Sequence, residues 1–267
     1  MCSSDLIVRP GLGMTEFVNI DFIFGHSVAA GIQAYIITRN KSVAMMAAFL
    51  SWTTDIDAER ERGDKSFFFA LLAVLKFIDT WNLIADQWEI AQFNGKPAAE
   101  LFFWFDCENG FYHVGHIDIV LRNKQTGIYT VIEIKTTAMR DPHEAMYGNS
   151  SQALGYSVIL DTIAGKLGEI TTFQVLYFVY SSTKRSWGSF PFTKSRQQRA
   201  EWLQDLLLDH TTISTYNNLG FFPKRGNACW SFNRVCPHYG VCDLGASKDT
   251  TKFDRWESGV PYPEGTD

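Results

Sequence analysis

The stretch Tyr112 to Thr137, YHVGHIDIVLRNKQTGIYTVIEIKTT, decides the fold. Two runs rich in isoleucine and valine flank Lys124-Gln125-Thr126-Gly127, a composition that marks a tight turn between strands. With the turn there, paired residues carry numbers that add to 251, which sets Asp118 opposite Glu133 and His116 opposite Lys135. Side chains alternate along a strand. The pattern therefore predicts His116, Asp118, Glu133 and Lys135 on one face. Ile117, Ile119, Leu121, Ile132 and Ile134 fall on the other, which is the expected core side.

Carboxylates directly opposed on neighbouring strands repel each other. A divalent cation between Asp118 and Glu133 would remove the conflict, because Mg²⁺ binds through one or two carboxylates and keeps waters for phosphate oxygens to displace. Lys135 would lie beside it, where a cation can orient water or stabilise charge on a phosphate. The residues equally allow a solvent-facing pair whose carboxylates splay apart, with Lys135 in an ordinary surface ion pair.

Outward from the hairpin, helical periodicity is expected over Val28 to Ile37, Ser42 to Trp52, and about Lys65 to Ala91, with the charged connector DIDAERERGDK between the last two. Leu101 to Phe105, Phe111 to Leu121 and Ile128 to Thr136 read as strands. A helix near Pro142 to Ala164 follows, then strands at 171–180 and Trp187 to Phe192, then a helix from about Ser195 to Asn217. This order predicts an α/β domain with a mixed sheet flanked by helices. Gln152 and Tyr156 lie four apart, so they share a helix face. FGHSVAAGIQAY at 24–35 is expected to open a helix whose small residues permit close approach.

The chain has 267 residues, 46% of them apolar and 20% charged, which suits a globular protein with a sizeable core. Its net charge of −5 argues against coating nucleic acid through bulk positive charge. The charge is uneven, however, and residues 181–234 carry +5. The longest apolar run, Phe67 to Ile78, contains Lys76 and is far shorter than the ~20 residues of a membrane helix. No membrane span or secretory signal is expected, and the expected location is the cytoplasm. Five cysteines suit thiols or a metal site better than a disulfide framework.

The expected organisation is a leader at 1–14, a helical segment at 15–99, a catalytic core with a cysteine tail at 100–245, and a flexible tail at 246–267. The opening MCSSDL resembles a translated adaptor remnant, and the leader is read as foreign to the domain.

Together, Gly115-His116-Ile117-Asp118, Glu133-Ile134-Lys135 and Gln152 to Tyr156 resemble the PD-(D/E)XK nuclease superfamily, in particular its RecB-like branch and the phage-type exonucleases within it. FGHSVAAGIQAY resembles that branch's glycine-led first motif, and CPHYGVC at 236–242 its cysteine-rich tail. The resemblance spans roughly residues 22 to 245. It implies a restriction-endonuclease-like fold, with an N-terminal helical segment and a cysteine-containing C-terminal tail, and metal-dependent hydrolysis of DNA. Asp118, Glu133 and the backbone carbonyl of Ile134 would hold Mg²⁺ or Mn²⁺. Lys135 would position the attacking water, and Gln152 and Tyr156 would support the active site and the DNA strand. Glu100 falls where many relatives carry a glutamate.

Two departures stand out. Where many relatives place a metal-binding histidine four residues after the first-motif glycine, this chain has Ala29; His26 and His116 are candidates to replace it. Cys229, Cys236 and Cys242 match the tail that holds a [4Fe–4S] cluster in some relatives, but such a cluster needs four thiolates. Cys2 and Cys107 are the remaining cysteines. A tail without metal, a cluster, or a zinc site completed by His238 or His210 all stay open.

Lys184, Arg185, Lys194, Arg196 and Arg199 are the candidate phosphate contacts, with linear double- or single-stranded DNA ends as the expected partner. Trp187, Phe192, Phe221, Phe222 and Trp230 are read first as packing residues and second as base-stacking groups. The competing reading is a catalytically weak nucleic-acid-binding accessory protein that keeps the fold.

Overall fold

A computed structural model describes residues 20–53, 63–93, 95–106, 112–148, 150–163, 172–220, 230–231 and 234–235. Cys2, Cys107, Cys229, Cys236, Cys242 and His238 lie outside them, as do the leader, the C-terminal tail, Phe221, Phe222 and most of the charged connector.

The chain divides into two compact units, Val18–Leu208 and a second made of Met1–Phe17 with Asp209–Asp267. In the first, three helices come first: α1 (Ile20–Thr38), α2 (Lys41–Thr53) and α3 (Phe67–Asn82). Short strands β1 (Trp88–Ile90), β2 (Gln92–Phe93) and β3 (Lys96–Pro97) lead into β4 (Ala99–Asp106), β5 (Tyr112–Asn123) and β6 (Tyr129–Thr137). Helices α4 (Ala145–Gly148) and α5 (Ser151–Ile163) precede β7 (Thr172–Ser181), β8 (Ser186–Ser195) and helix α6 (Arg196–Leu219). In the second unit, the described residues comprise the end of α6 and a small antiparallel pair, β9 (Trp230–Ser231) with β10 (Arg234–Val235).

The central sheet is mixed, in the order β1-β5-β6-β7-β8, with β4 also paired to β5. β5–β6 and β7–β8 are antiparallel, whereas β6 and β7 run parallel. A parallel pair needs a crossover, and α4 and α5 supply it. One face of the sheet, through Ile119, Leu121, Ile132, Ile134, Phe178 and Tyr180, packs on α1, α2 and α3. The other, through Val120, Val131, Val175, Tyr177 and Val179, packs on Ala153, Tyr156, Ile159 and Leu160 of α5. Burial on both faces explains why β6 reads as a near-continuous apolar run.

Three expectations change in detail. The helix expected over 65–91 ends at Asn82, and Trp88–Ile90 is a strand; Ile84 and Trp88 lie four apart, so helical periodicity carried past the true end. The first-motif glycine does not open a helix, because α1 starts at Ile20 and Gly25 lies inside it. α1 is also long and apolar enough to cross a membrane. Its buried residues belong to the core with α2, α3 and the sheet, which accounts for that composition.

Candidate active site

The β5–β6 register follows the expected sum: Ile119 pairs with Ile132, Val120 with Val131, Leu121 with Thr130 and Arg122 with Tyr129. Asn123 Oδ1 closes the turn by accepting from the N–H groups of Gln125 and Thr126. The ladder stops at Ile119 and Ile132, however. Asp118 and Glu133 are therefore not a directly opposed pair. They stand where β5 and β6 part, and Asp118 Oδ2 accepts the Ile134 N–H at 3.4 Å. Each strand is held in the fork by its outer neighbour, β5 by β4 and β6 by β7.

Face assignment also changes at Asp118. Ile119 and Leu121 belong to the core under α1–α3, but Ile117 belongs to the core under α5 together with Val120. Next to Ile117 on that side come Gly115, over which the Phe103 ring lies, and His113, which packs against Phe103 and Trp202. Alternation along β5 is thus broken beside Asp118. Across the sheet, the skipped partner position on β4 is Glu100, whose backbone is left-handed (φ 49°). Such a backbone is uncommon outside glycine, and a non-glycine residue there marks local strain. His116 consequently does not share a face with Asp118; it is exposed and lies 5.1 Å from the Phe102 ring.

Glu133 is 2% exposed and has three donors. Tyr156 Oη donates at 2.9 Å, Gln152 Nε2 at 3.1 Å, and Lys135 Nζ sits 2.6 Å from Oε1. Gln152 also bonds Tyr156 directly. The four-residue spacing on α5 puts both side chains on one face and brings them to one carboxylate. Asp118 is less well served. Burial, then the nearby Glu133 charge, pushes its carboxyl up to about 7, with a smaller push from Glu100, against the opposing effects of the Ile134 N–H and Lys135. Burial and the same carboxylates push the Tyr156 hydroxyl well above its ordinary range, so it remains a donor. Replacing Tyr156 with Phe removes a charge-assisted bond to a buried carboxylate. It should cost about 1.5–3 kcal/mol of stability, read as a lower urea midpoint.

Two crowded carboxylates with a neighbouring carbonyl fit a hard cation that keeps several waters. Among the described residues, no group of three or more His, Cys, Asp or Glu converges on a common metal position. His26 is exposed on α1, and neighbouring Gly25 faces Thr136 of β6, where a Cβ would come within 3.3 Å of the hydroxyl oxygen. Thus the geometry supports neither histidine as a built ligand.

The basic residues separate into two groups. Lys184 and Arg185 are exposed at the β7–β8 turn; Lys184 pairs with Asp141 at 2.8 Å, and Arg185 lies over the Phe69 ring. The Ser182 N–H and the Thr183 hydroxyl bond carbonyls of Thr137 and Ala138, so this turn sits at the end of β6 that carries Lys135. Arg196 is exposed at the start of α6. Lys194 and Arg199, by contrast, are buried. The Lys194 ammonium bonds the Gly148 carbonyl, and Arg199 pairs with buried Asp161. Both are structural, which corrects their reading as phosphate contacts. Trp187 and Phe192 pack as well: the Trp187 indole donates to the Ala73 carbonyl, and Phe192 meets Tyr177 edge-on.

Comparison with known proteins adds a family. The family model described as the PD-(D/E)XK nuclease superfamily matches residues 41–243. No curated protein matches the chain significantly. Among solved structures, the crystal structure of SSO0001 is similar at 10% identity with a TM-score of 0.31, covering 84% of this chain and 86% of that one.

Proposed function

This chain belongs to the PD-(D/E)XK nuclease superfamily, and from that premise we propose that it is a Mg²⁺- or Mn²⁺-dependent deoxyribonuclease of the RecB-like branch. We assign it as a phage-type exonuclease that hydrolyses phosphodiesters at DNA ends during recombination or repair in the cytoplasm. The observation that carries this reading is the Asp118/Glu133/Lys135 group at the β5–β6 fork, with Gln152 and Tyr156 bonded to Glu133. Asp118, Glu133 and the Ile134 carbonyl would hold the cation, which supplies charge neutralisation at the phosphate and acidifies water.

The protein's own groups have separable tasks. Tyr156 and Gln152 donate to Glu133 and fix its direction. Lys135, held by Glu133 yet 38% exposed, has donors left to orient an attacking water and to face charge that builds on the phosphate. Lys184, Arg185 and Arg196 supply exposed cations for the phosphates of the strand. A non-catalytic accessory role would leave the buried Glu133 network without a purpose.

The test is digestion of end-labelled linear single- and double-stranded DNA, with RNA as a control, in Mg²⁺ or Mn²⁺. Wild type should shorten DNA from an end, and Lys135→Ala should lose about 100-fold or more in rate. Metal-dependent cleavage of RNA alone, or equal rates for wild type and variant, would refute the proposal.

A further inference from the structure

The loop that leaves β6 carries a carboxylate the site does not use. Asp141 stands between two cations, 2.8 Å from Lys184 Nζ and 3.8 Å from Arg140 Nε. All three side chains are more than half exposed, and ion pairs this open to water contribute little to stability. The loop does not depend on them, because other bonds already tie residues 137–139 to the β7–β8 turn. The Ser182 N–H bonds the Thr137 carbonyl at 2.9 Å, and the Ser181 and Thr183 hydroxyls bond the carbonyls of Met139 and Ala138, each at 2.7 Å.

Register places the cluster relative to the catalytic group. Glu133 pairs with Tyr177, Lys135 with Val179 and Thr137 with Ser181, and Tyr177 and Val179 pack in the core under α5. By alternation Ser181 faces the same way, and its hydroxyl reaches the Met139 carbonyl. The loop therefore leaves β6 on the face that holds Glu133 and Lys135. Thr137, where it begins, is about 7 Å beyond Lys135 along the strand.

An arginine and a lysine around one carboxylate make an anion site filled by an anion of the chain's own. A strand phosphate carries negative charge too and offers oxygens to both cations. For it to enter, the Lys184–Asp141 bond must open, and the exposure of that bond keeps the cost of the exchange small.

We infer that Arg140 and Lys184 form a phosphate site at the end of β6, and that Asp141 occupies it as an internal competitor until a nucleic-acid strand displaces it. This rests on the nuclease reading and adds a self-inhibitory contact to it, since Asp141 and the strand compete for the same cations.

The test is fluorescence anisotropy of a labelled DNA oligonucleotide, with Ca²⁺ in place of Mg²⁺. Asp141→Asn keeps the shape of the side chain and removes its charge. It should bind about 2- to 5-fold more tightly than wild type, the worth of an exposed ion pair, with the melting temperature unchanged. Glu144→Gln, which removes an exposed carboxylate from the same segment, should gain much less. In the Arg140→Ala/Lys184→Ala background, Asp141→Asn should bring no gain. No gain in the wild-type background, an equal gain from Glu144→Gln, or a gain that survives without the two cations overturns the competitor and leaves the nuclease reading standing. A lower melting temperature for Asp141→Asn also overturns it, because the pair then holds the loop. A wild type that binds no DNA overturns both.

Discussion

Asp118→Asn should abolish cleavage and, at pH 8 in a chelator, melt at a higher temperature than wild type by about 10 °C. The two effects have one cause. Without a cation, the Asp118 carboxyl keeps its proton up to about pH 7 because of burial and the Glu133 charge, whereas in the unfolded chain it ionises near its ordinary value of 3.8. Between those values the folded state binds more protons than the unfolded state. Its stability from this group is thus fully present below pH 3.8, falls as pH rises, and levels off above about 7. The cost is of order 1 kcal/mol per pH unit. Asparagine does not titrate and can still accept the Ile134 N–H, so it escapes that loss. Added Mg²⁺ should raise the melting temperature of wild type more at pH 8 than at pH 6, since at the lower pH it must displace a proton. A variant less stable than wild type in chelator, or a Mg²⁺ effect that ignores pH, would refute this account.

That behaviour was legible in the sequence only in part. A four-residue turn fixed the sum of paired positions, and the sum holds from Arg122–Tyr129 to Ile119–Ile132. What the pattern could not show is that pairing stops one step before the carboxylates. Alternation is a local rule, and nothing in GHIDI announces that Ile117 and Ile119 enter different cores. The break lies opposite the left-handed backbone at Glu100, on a different strand. Gln152 and Tyr156 were readable because a helix fixes which residues share a face, and their target lies directly under that face. The exposed rings at Phe102 and Trp104 were not, because LFFWF has no period that separates its buried side from its open one.

Arg199→Ala should destabilise the fold by about 3–5 kcal/mol without weakening DNA affinity per folded molecule. In sequence, Arg199 stands with Lys184, Arg185, Lys194 and Arg196 in a basic stretch, and charge alone makes them equivalent. In the fold, Arg199 and Asp161 have side chains 4% and 3% exposed and are paired with each other. They tie α6 to α5, the helix that carries Gln152 and Tyr156. Removing the guanidinium leaves a carboxylate in the interior with its counter-charge gone, and that desolvation cost exceeds what the pair contributes when intact. Replacing both partners with apolar residues of similar size, Asp161→Leu with Arg199→Met, should therefore recover most of the loss. Urea denaturation separates the cases: a large drop in midpoint for the single variant, a small one for the double. The exposed Lys184→Ala and Arg185→Ala changes should do the reverse, leaving the midpoint in place and flattening the salt dependence of DNA binding by about 0.7–0.9 in slope per lost phosphate contact. If Arg199→Ala kept the wild-type midpoint and bound DNA weakly, Arg199 would return to the nucleic-acid surface and its pairing with Asp161 would carry no stability.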